Sequence, residues 1–225
     1  MSRSMMLFLV IGVPILALLL ACLGAATFID NLTGLLLFVI GIAFLAGPPI
    51  YYMRTKQPYW LSGRGRISQE EKGDASFWFI LPGFLLVFFG SPLEFLSLPD
   101  SITRKIALEG LGFLLFILGL GLFIWARRVM RDQYSGHIQI SVDQFLVKNG
   151  PYHYMRHPAY SGYLLMAFGI GIGYSSLVGV TSVLLLLLPG ILYRVRLEEK
   201  ILSNRFPMEY KQYARKTGCL IPKKK

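Results

Sequence analysis

The chain is 225 residues long, with 54% hydrophobic and only 16% charged residues, and it carries a formal net charge of +11. Soluble domains average roughly 25% charged residues and disordered chains are poor in hydrophobic residues, so this composition excludes both classes. The two cysteines lie in an apolar run and in a basic tail, which excludes a disulfide framework. The basic residues fall between long apolar runs, and this distribution is typical of a membrane protein rather than of a nucleic-acid-binding protein.

Four apolar runs in the first 130 residues predict membrane-spanning helices, since about 20 apolar residues cross a hydrocarbon core. They lie at about 5–29, 31–53, 77–98 and 106–126. The first two runs predict a helical hairpin that turns near Asp30. The first run is longer than the hydrophobic part of a signal peptide and does not lead into a polar mature domain, so we interpret it as a helix.

Polar and apolar segments alternate in the rest of the chain. A long polar segment, 132–156, precedes two shorter apolar runs at 159–173 and 177–193, which predict a membrane-embedded hairpin. An amphipathic cytosolic helix is predicted over 194–216. We therefore predict an all-α, polytopic membrane protein with five or six transmembrane or membrane-embedded helices and this C-terminal helix.

The distribution of Lys and Arg predicts the orientation in the membrane. If the N-terminus is cytosolic, all of the 23 basic residues except Arg104 and Lys105 fall in cytosolic segments. Basic residues concentrate in cytosolic loops, so we expect an even number of crossings, with both termini and the long polar segments in the cytosol.

One short stretch, 146–160, combines a Gly-Pro turn with four ring-bearing side chains, an arginine and a His-Pro step. The residue before a proline is driven to extended geometry, so His157 is not expected inside a helix. Pro158 is suited to the first position of the next helix. An alternative interpretation is anchoring at the membrane interface, a common role of Tyr and Arg side chains, by Tyr152, Tyr154, Arg156 and Tyr160.

A second charged stretch follows the apolar hairpin. Arg194 and Glu198 are four residues apart, so they share one helical face and can hold opposite ends of a polar ligand. The alternative is a solvated helix whose ion pairs contribute only a few tenths of a kcal/mol.

Three spaced patterns connect these stretches. They are Gly-Pro-Tyr-x-x-x-Arg-His-Pro-x-Tyr-x-Gly at 150–162, Arg-x-x-x-Glu-Glu-x-x-Leu at 194–202 and Phe-x-x-x-Tyr-x-x-Tyr at 206–213. In order and spacing they resemble the isoprenylcysteine carboxyl methyltransferase family, over roughly residues 135–222. The chain departs from the family at Pro207, where the family has a glycine at the start of the last helix.

The resemblance implies an integral-membrane methyltransferase that uses S-adenosylmethionine without a Rossmann domain, with membrane helices in 1–130 and a catalytic region in 131–225. By similarity, Arg194 is the catalytic residue that binds the substrate carboxylate. A further cofactor contact falls near His137 or Gln139, and no metal site is expected. The other cofactor contacts implied by similarity are Gln144, Phe145, Leu146, Val147, Tyr152, His157, Pro158, Ala159, Tyr160 and Glu198.

The expected acceptor is a lipophilic small molecule or a prenylated carboxylate that enters from the bilayer, while the methyl donor enters from the cytosol. A carboxylate is ionised at neutral pH and needs no general base, whereas a phospholipid amine would need one, such as Glu199 or His157. Two further alternatives are an NADPH-dependent membrane reductase related to sterol reductases and a transporter. The sequence leaves the identity of the acceptor and the oligomeric state open.

Overall fold

The computed structural model describes residues 12–55, 67–70, 75–98, 106–130, 139–141 and 145–223. The chain forms two compact units that interleave along the sequence. The first unit comprises Met1–Ser62, Leu85–Leu114 and Gly169–Val180, and the second comprises Gly63–Phe84, Leu115–Phe168 and Thr181–Lys225. The division expected from the sequence, into membrane helices in 1–130 and a catalytic region in 131–225, concerns function rather than these units and stays a prediction.

Seven helices account for most of the described residues. They are α1 (Val13–Phe28), α2 (Thr33–Thr55), α3 (Phe77–Ser97), α4 (Ile106–Met130), α5 (Pro158–Gly173), α6 (Leu177–Arg205) and α7 (Pro207–Lys216). By length and composition α3, α4 and α6 can cross a membrane, and α1 and the Thr33–Gly47 part of α2 are shorter apolar helices. The predicted helical membrane fold is confirmed.

Two of the long helices contain a π-helical turn, at Leu86–Gly90 in α3 and at Val183–Leu187 in α6. In each case a proline, Pro92 or Pro189, follows the turn by two residues. A proline donates no backbone N–H, so the helix must rearrange its hydrogen bonds in the turn before it.

One expectation needs correction, and one short element was not predicted. The unpredicted element is an antiparallel pair of strands, β1 (Ile67–Glu70) and β2 (Gln139–Ser141), within the otherwise helical fold. The segments are too short to display an alternating pattern in the sequence. The helix predicted over 194–216 is also divided: α6 continues from Leu177 to Arg205, and α7 begins at Pro207, because a proline ends the preceding helix and suits the first turn of the next.

Close packing of small residues holds α1 against α2 in the first unit. A Cβ on Gly24 would overlap the backbone of Phe38, and a Cβ on Gly41 would lie 2.6 Å from the backbone nitrogen of Ala21. Lipid is as apolar as the helices, so such close approach, rather than hydrophobic burial, is the main source of helix association in a membrane. The turn that follows is fixed by the side-chain amide of Asn31, which donates to the carbonyl oxygen of Gly173 at 2.9 Å.

Candidate active site

The polar segment before α5 is ordered by a tight turn in the second unit. Residues 145–148 have no regular secondary structure, Asn149 is extended, and a 3₁₀ turn follows at Gly150–His153. Gly150 has a φ of +59°, a left-handed conformation that favours glycine. The turn buries the ring of Tyr152, whose hydroxyl lies 3.2 Å from the sulfur of Met130. The Gly-Pro step therefore directs a tyrosine of the first pattern inward.

His157 ends this segment and is almost fully buried, with 4% of its surface exposed. It precedes the first residue of α5, Pro158, as its sequence position predicts. Its Nε2 lies 3.3 Å from Oε1 of Glu199, and its Nδ1 lies 3.7 Å from Oε2 of Glu198. The ring also stacks on Tyr160, with centroids 5.8 Å apart. His157 thus links the start of α5 to two neighbouring carboxylates of α6.

Arg156 forms an ion pair with Glu199, in which its Nε donates to Oε1 at 2.6 Å. Its Nη1 also donates to the carbonyl oxygens of Ala214 and Thr217, at 3.1 and 2.8 Å. Burial lowers the pKa of Arg156, but the hydrogen bond and the charge of Glu199 outweigh burial and raise the pKa above its usual value. Arg156 is therefore a partly buried cation that joins three chain segments.

The C-terminal segment, residues 217–223, runs beside the chain that leads into α5. Met155 and Gly218 form a parallel bridge. The backbone N–H groups of Arg156 and His157 donate to the carbonyl oxygens of Gly218 and Cys219, at 2.9 and 3.1 Å. These backbone bonds fix both residues of the Arg-His step.

Helix α7 packs its tyrosines against the same turn. The hydroxyl of Tyr213 donates to the carbonyl oxygen of Tyr152 at 2.7 Å. Burial raises the pKa of Tyr213 to about 12, although the charge of Arg156 lowers it. This hydroxyl is therefore protonated at neutral pH and acts as a donor. The proline at position 207 is compatible with docking of α7 in this structure.

Arg194 and Glu198 share one face of α6, as predicted, but they contact different groups. The Nε of Arg194 donates to the hydroxyl of Tyr160 at 2.9 Å. The carboxylate of Glu198 faces His157. Both charges therefore reach residues of the first pattern, and the hydroxyl of Tyr160 interacts with Glu198 as well as with Arg194.

The structure brings together most of the predicted site residues. Four of them, His157, Tyr160, Arg194 and Glu198, are joined by the contacts above in the second unit. Tyr152 lies in the same unit and contacts Met130 and Tyr213. Pro158 and Ala159 form the first turn of α5. Phe145, Leu146 and Val147 lie in the irregular stretch before the 3₁₀ turn, with the ring of Phe145 exposed. Gln144 and His137 lie outside the described residues, and Gln139 belongs to β2.

Three residues of the site were not predicted in the role that they have. Arg156 was considered as a membrane anchor and as part of the first pattern, Tyr213 only as part of the last pattern, and Cys219 only as the cysteine of the basic tail. His157, Glu199 and Cys219 bring three potential metal ligands within 4.8 Å of one another. Arg156 already binds the same carboxylate oxygen, and burial, followed by the charge of Glu199, raises the pKa of the Cys219 thiol. This arrangement favours an ion pair over a metal site.

These helices and this site are those of a helical membrane protein. Its charged cluster lies where α5, α6 and α7 meet the C-terminal segment. The family model described as phospholipid methyltransferase matches residues 108–209. A protein-S-isoprenylcysteine O-methyltransferase of Saccharomyces cerevisiae is 32% identical over 114 residues, which are 50% of this chain and 48% of that protein. The cobalt-zinc-cadmium resistance protein CzcN of Cupriavidus metallidurans is 40% identical over 82 residues, 35% of this chain and 36% of that protein.

The fold has a solved counterpart. The structure of the eukaryotic intramembrane Ras methyltransferase ICMT, an isoprenylcysteine carboxyl methyltransferase, aligns with a TM-score of 0.60 at 20% identity, covering 84% of this chain and 65% of that chain. At this identity the alignment supports the fold alone. The chain spans about half or less of the length of the curated relatives it matches. The resemblance read from residues 150–213 is confirmed by these matches.

Proposed function

We propose that the protein is an integral-membrane methyltransferase that transfers a methyl group from S-adenosylmethionine to the carboxylate of a lipid-like, isoprenylcysteine-type acceptor. The observation that carries the proposal is the cluster of one cation and one carboxylate, Arg194 beside Tyr160 and Glu198 beside His157, within the patterns of the resembling family. One charge is suited to an anionic acceptor and the other to a cationic donor. We further propose that residues 131–225 are the catalytic region and that the site and both termini face the cytosol.

The residues proposed to hold the methyl donor have suitable chemistry. S-adenosylmethionine supplies a methyl group that is made electrophilic by a positively charged sulfur. The carboxylate of Glu198 can accept hydrogen bonds from an ammonium or a ribose hydroxyl, and such charge-assisted bonds are strong. The buried ring of His157 lies beside this carboxylate, and Tyr152 is proposed to contribute a second ring. The remaining proposed contacts are Gln144, Phe145, Leu146, Val147, Pro158, Ala159 and Tyr160.

Arg194 is proposed to bind and orient the acceptor. A guanidinium binds a carboxylate with two parallel hydrogen bonds, which fixes the direction of the reactive oxygen. The carboxylate is already ionised and becomes a neutral ester without losing a proton. The site therefore needs orientation and exclusion of water rather than a base, and positioning alone can supply a large part of such a rate.

An amine acceptor is the second candidate, because the matching family model is described as phospholipid methyltransferase. Such an acceptor must lose a proton. One candidate base is Glu199, but its Oε1 accepts a hydrogen bond from Arg156. This ion pair makes the carboxylate a poorer proton acceptor. We therefore favour a carboxylate, and incubation with both acceptor classes distinguishes them, since mild alkali hydrolyses a methyl ester and leaves an N-methyl group intact.

Two substitutions test the division of roles. Glu198→Gln should raise the Kd for S-adenosylmethionine about tenfold or more, because a charge-assisted hydrogen bond contributes roughly 1.5–3 kcal/mol. Arg194→Lys keeps the charge but loses the planar fork, so it should leave cofactor affinity nearly unchanged and reduce single-turnover methylation of a carboxylate acceptor. Calorimetry and a quenched-reaction assay on detergent-purified protein measure both quantities.

Arg196→Lys is the matched control, since Arg196 lies exposed on the same helix. It should change neither quantity. Equal loss of cofactor affinity in Glu198→Gln and Arg194→Lys would contradict the proposal and make the two residues a structural pair.

The proposed orientation has its own test. A single cysteine at position 225, in a protein without Cys22 and Cys219, should react with a membrane-impermeant thiol reagent only after the cells are permeabilised. Labelling of intact cells would place the C-terminus outside and contradict the orientation inferred from the basic residues.

A further inference from the structure

Tyr160 occupies a position between the two proposed ligand sites. It lies in the first turn of α5, and its hydroxyl accepts a hydrogen bond from Nε of Arg194 at 2.9 Å. Its ring stacks on His157 with an interplanar angle of 27°. One face of the tyrosine thus contacts His157, while its hydroxyl accepts from Arg194 and also interacts with the carboxylate of Glu198.

The residue on which Tyr160 stacks, His157, is itself held in place. The backbone N–H of His157 is bonded to Cys219, and its ring lies between the carboxylates of Glu198 and Glu199. A ring that stacks on such an immobile imidazole has a defined position. Its hydroxyl is therefore a stationary acceptor for the long side chain of Arg194.

The hydrogen bond at Nε limits the ways in which Arg194 can bind a ligand. A guanidinium presents five N–H donors in one plane, and a carboxylate can bind either along the edge that includes Nε or across the two terminal nitrogens. The Tyr160 hydroxyl occupies the Nε position. A carboxylate acceptor would then bind across the terminal nitrogens, with the side chain already ordered before the acceptor arrives, which lowers the entropic cost of binding.

We propose that the hydroxyl of Tyr160 is a positioning group for the acceptor, acting through Nε of Arg194. The inference rests on the proposed function and adds to it a determinant of carboxylate recognition. It gives the hydroxyl a role that is separate from the contact with the methyl donor expected for this residue.

The substitution that tests the inference is Tyr160→Phe, which keeps the ring on His157 and removes only the hydroxyl. We expect kcat/KM for a carboxylate acceptor to fall about tenfold, the loss typical of one hydrogen bond to a charged group. The Kd for S-adenosylmethionine should change by a smaller factor than kcat/KM, because the ring stays on His157 and Glu198 keeps its contact with that imidazole. Tyr163→Phe is the matched control, since it removes a hydroxyl three residues later on the same helix, and it should leave both quantities unchanged.

A double-mutant cycle separates positioning from a general structural effect. If Tyr160 acts through Nε of Arg194, its hydroxyl has nothing to position once a lysine replaces the arginine. Tyr160→Phe should therefore change kcat/KM by less than about twofold in an Arg194→Lys background, although it costs about tenfold in the wild type. A merely structural hydroxyl would cost the same factor in both backgrounds.

Three results would overturn the inference: equal factors in the two backgrounds, a loss of cofactor affinity as large as the loss of kcat/KM, or failure of Tyr160→Phe to fold. The last result would mean that the hydroxyl serves the fold rather than the acceptor. Failure of the proposed function is distinguishable from all three, because the wild-type protein would then neither bind S-adenosylmethionine nor methylate a carboxylate.

Discussion

Each of the two units contains a carboxylate in a polar cluster, and the two clusters differ in their partners. In the first unit Glu94 accepts hydrogen bonds from the hydroxyl of Ser176 and from the backbone N–H of Val178. In the second unit Glu199 binds the guanidinium of Arg156 and faces the ring of His157. Both acids follow apolar stretches, so hydropathy alone does not distinguish them.

The difference in partners indicates the difference in role. Glu94 binds neutral groups in the first turn of α6, where a negative charge is favourable at a helix N-terminus, and this interaction needs no further residues. Glu199 joins a cation, an imidazole and, through Arg156, two carbonyls of the C-terminal segment and α7. An acid that completes one helix end supports the fold, whereas an acid that connects several segments defines a site.

Of the substitutions that test this difference between the units, removal of Arg156 should reduce stability the most. Arg156→Ala leaves Glu199 without its cation and two carbonyl oxygens without a donor. The side chains of Arg156 and Glu199 are only 14% and 28% exposed, so we expect a loss of about 2–4 kcal/mol in unfolding free energy. Binding of S-adenosylmethionine should be lost with it. Thermal unfolding in detergent and calorimetry measure the two effects, and Arg196→Ala, an exposed arginine of α6, is the control.

An Arg156→Ala protein as stable as the Arg196→Ala control would show that the C-terminal segment does not depend on this ion pair. The second unit would then resemble the first, in which the carboxylate of Glu94 supports one helix end.

The next largest effect is expected from the C-terminal segment itself. A Cβ at Gly218 would overlap the carbonyl oxygen of Ile221, so Gly218→Ala should displace the segment that bonds to Arg156 and His157. Overpacking of this kind costs about 1–3 kcal/mol. Gly121→Ala is the matched control, because a Cβ there meets no atom within 4 Å. Alanine is the better helix former by roughly 1 kcal/mol, so the control should be neutral or slightly stabilising.

The expected readout for Gly218→Ala is a lower melting temperature together with weaker cofactor binding. If stability falls and cofactor affinity does not, the segment supports the fold only, and the proposed site ends at α7.

The sequence predicted the parts of the site that depend on special backbone chemistry. The turn at Gly150 and the start of α5 after His157 follow from glycine and proline, and the shared face of Arg194 and Glu198 follows from helical spacing. The C-terminal segment escaped prediction because it binds through backbone N–H and C=O groups, which every residue has. The division of roles between Glu198 and its neighbour Glu199 also depends on tertiary contacts rather than on spacing.

In the fold too, the sequence predicted elements formed by neighbouring residues better than pairings between distant segments. The apolar runs predicted the helices, and Pro207 marked a possible break without fixing its effect. The β1–β2 pair brings together residues about 70 positions apart and has no periodic pattern. Such a pairing becomes visible only when both loops are placed in space.

In the first unit a smaller effect is expected from Glu94. Glu94→Gln keeps an oxygen for Ser176 and Val178 but removes the charge at the helix N-terminus, which typically contributes 0.3–1 kcal/mol. We expect a small fall in melting temperature and no change in cofactor affinity. A large fall in affinity would indicate that the first unit takes part in the site. Glu109→Gln, which removes an acid from the first turn of α4, is the control for the loss of charge.

The smallest effect is expected for Tyr174→Phe, which makes the same chemical change as Tyr160→Phe in the other unit. Tyr174 is 1% exposed, and its hydroxyl lies 2.7 Å from that of Thr27. Since the hydroxyl of Thr27 donates to the carbonyl oxygen of Leu23 at 2.9 Å, the tyrosine donates to it, and its removal leaves the threonine still bonded. The ring keeps its edge contact with Phe95, with centroids 5.5 Å apart. Hydrogen bonds between helices in a membrane average about 0.6 kcal/mol, so Tyr174→Phe should lower the melting temperature slightly and leave methyl transfer unchanged. Tyr160→Phe should instead reduce methyl transfer and leave the melting temperature nearly unchanged, because its hydroxyl holds a charged side chain that is proposed to bind the acceptor. Unfolding curves and kcat/KM for both variants, measured together, test whether the two tyrosines differ in role or only in position.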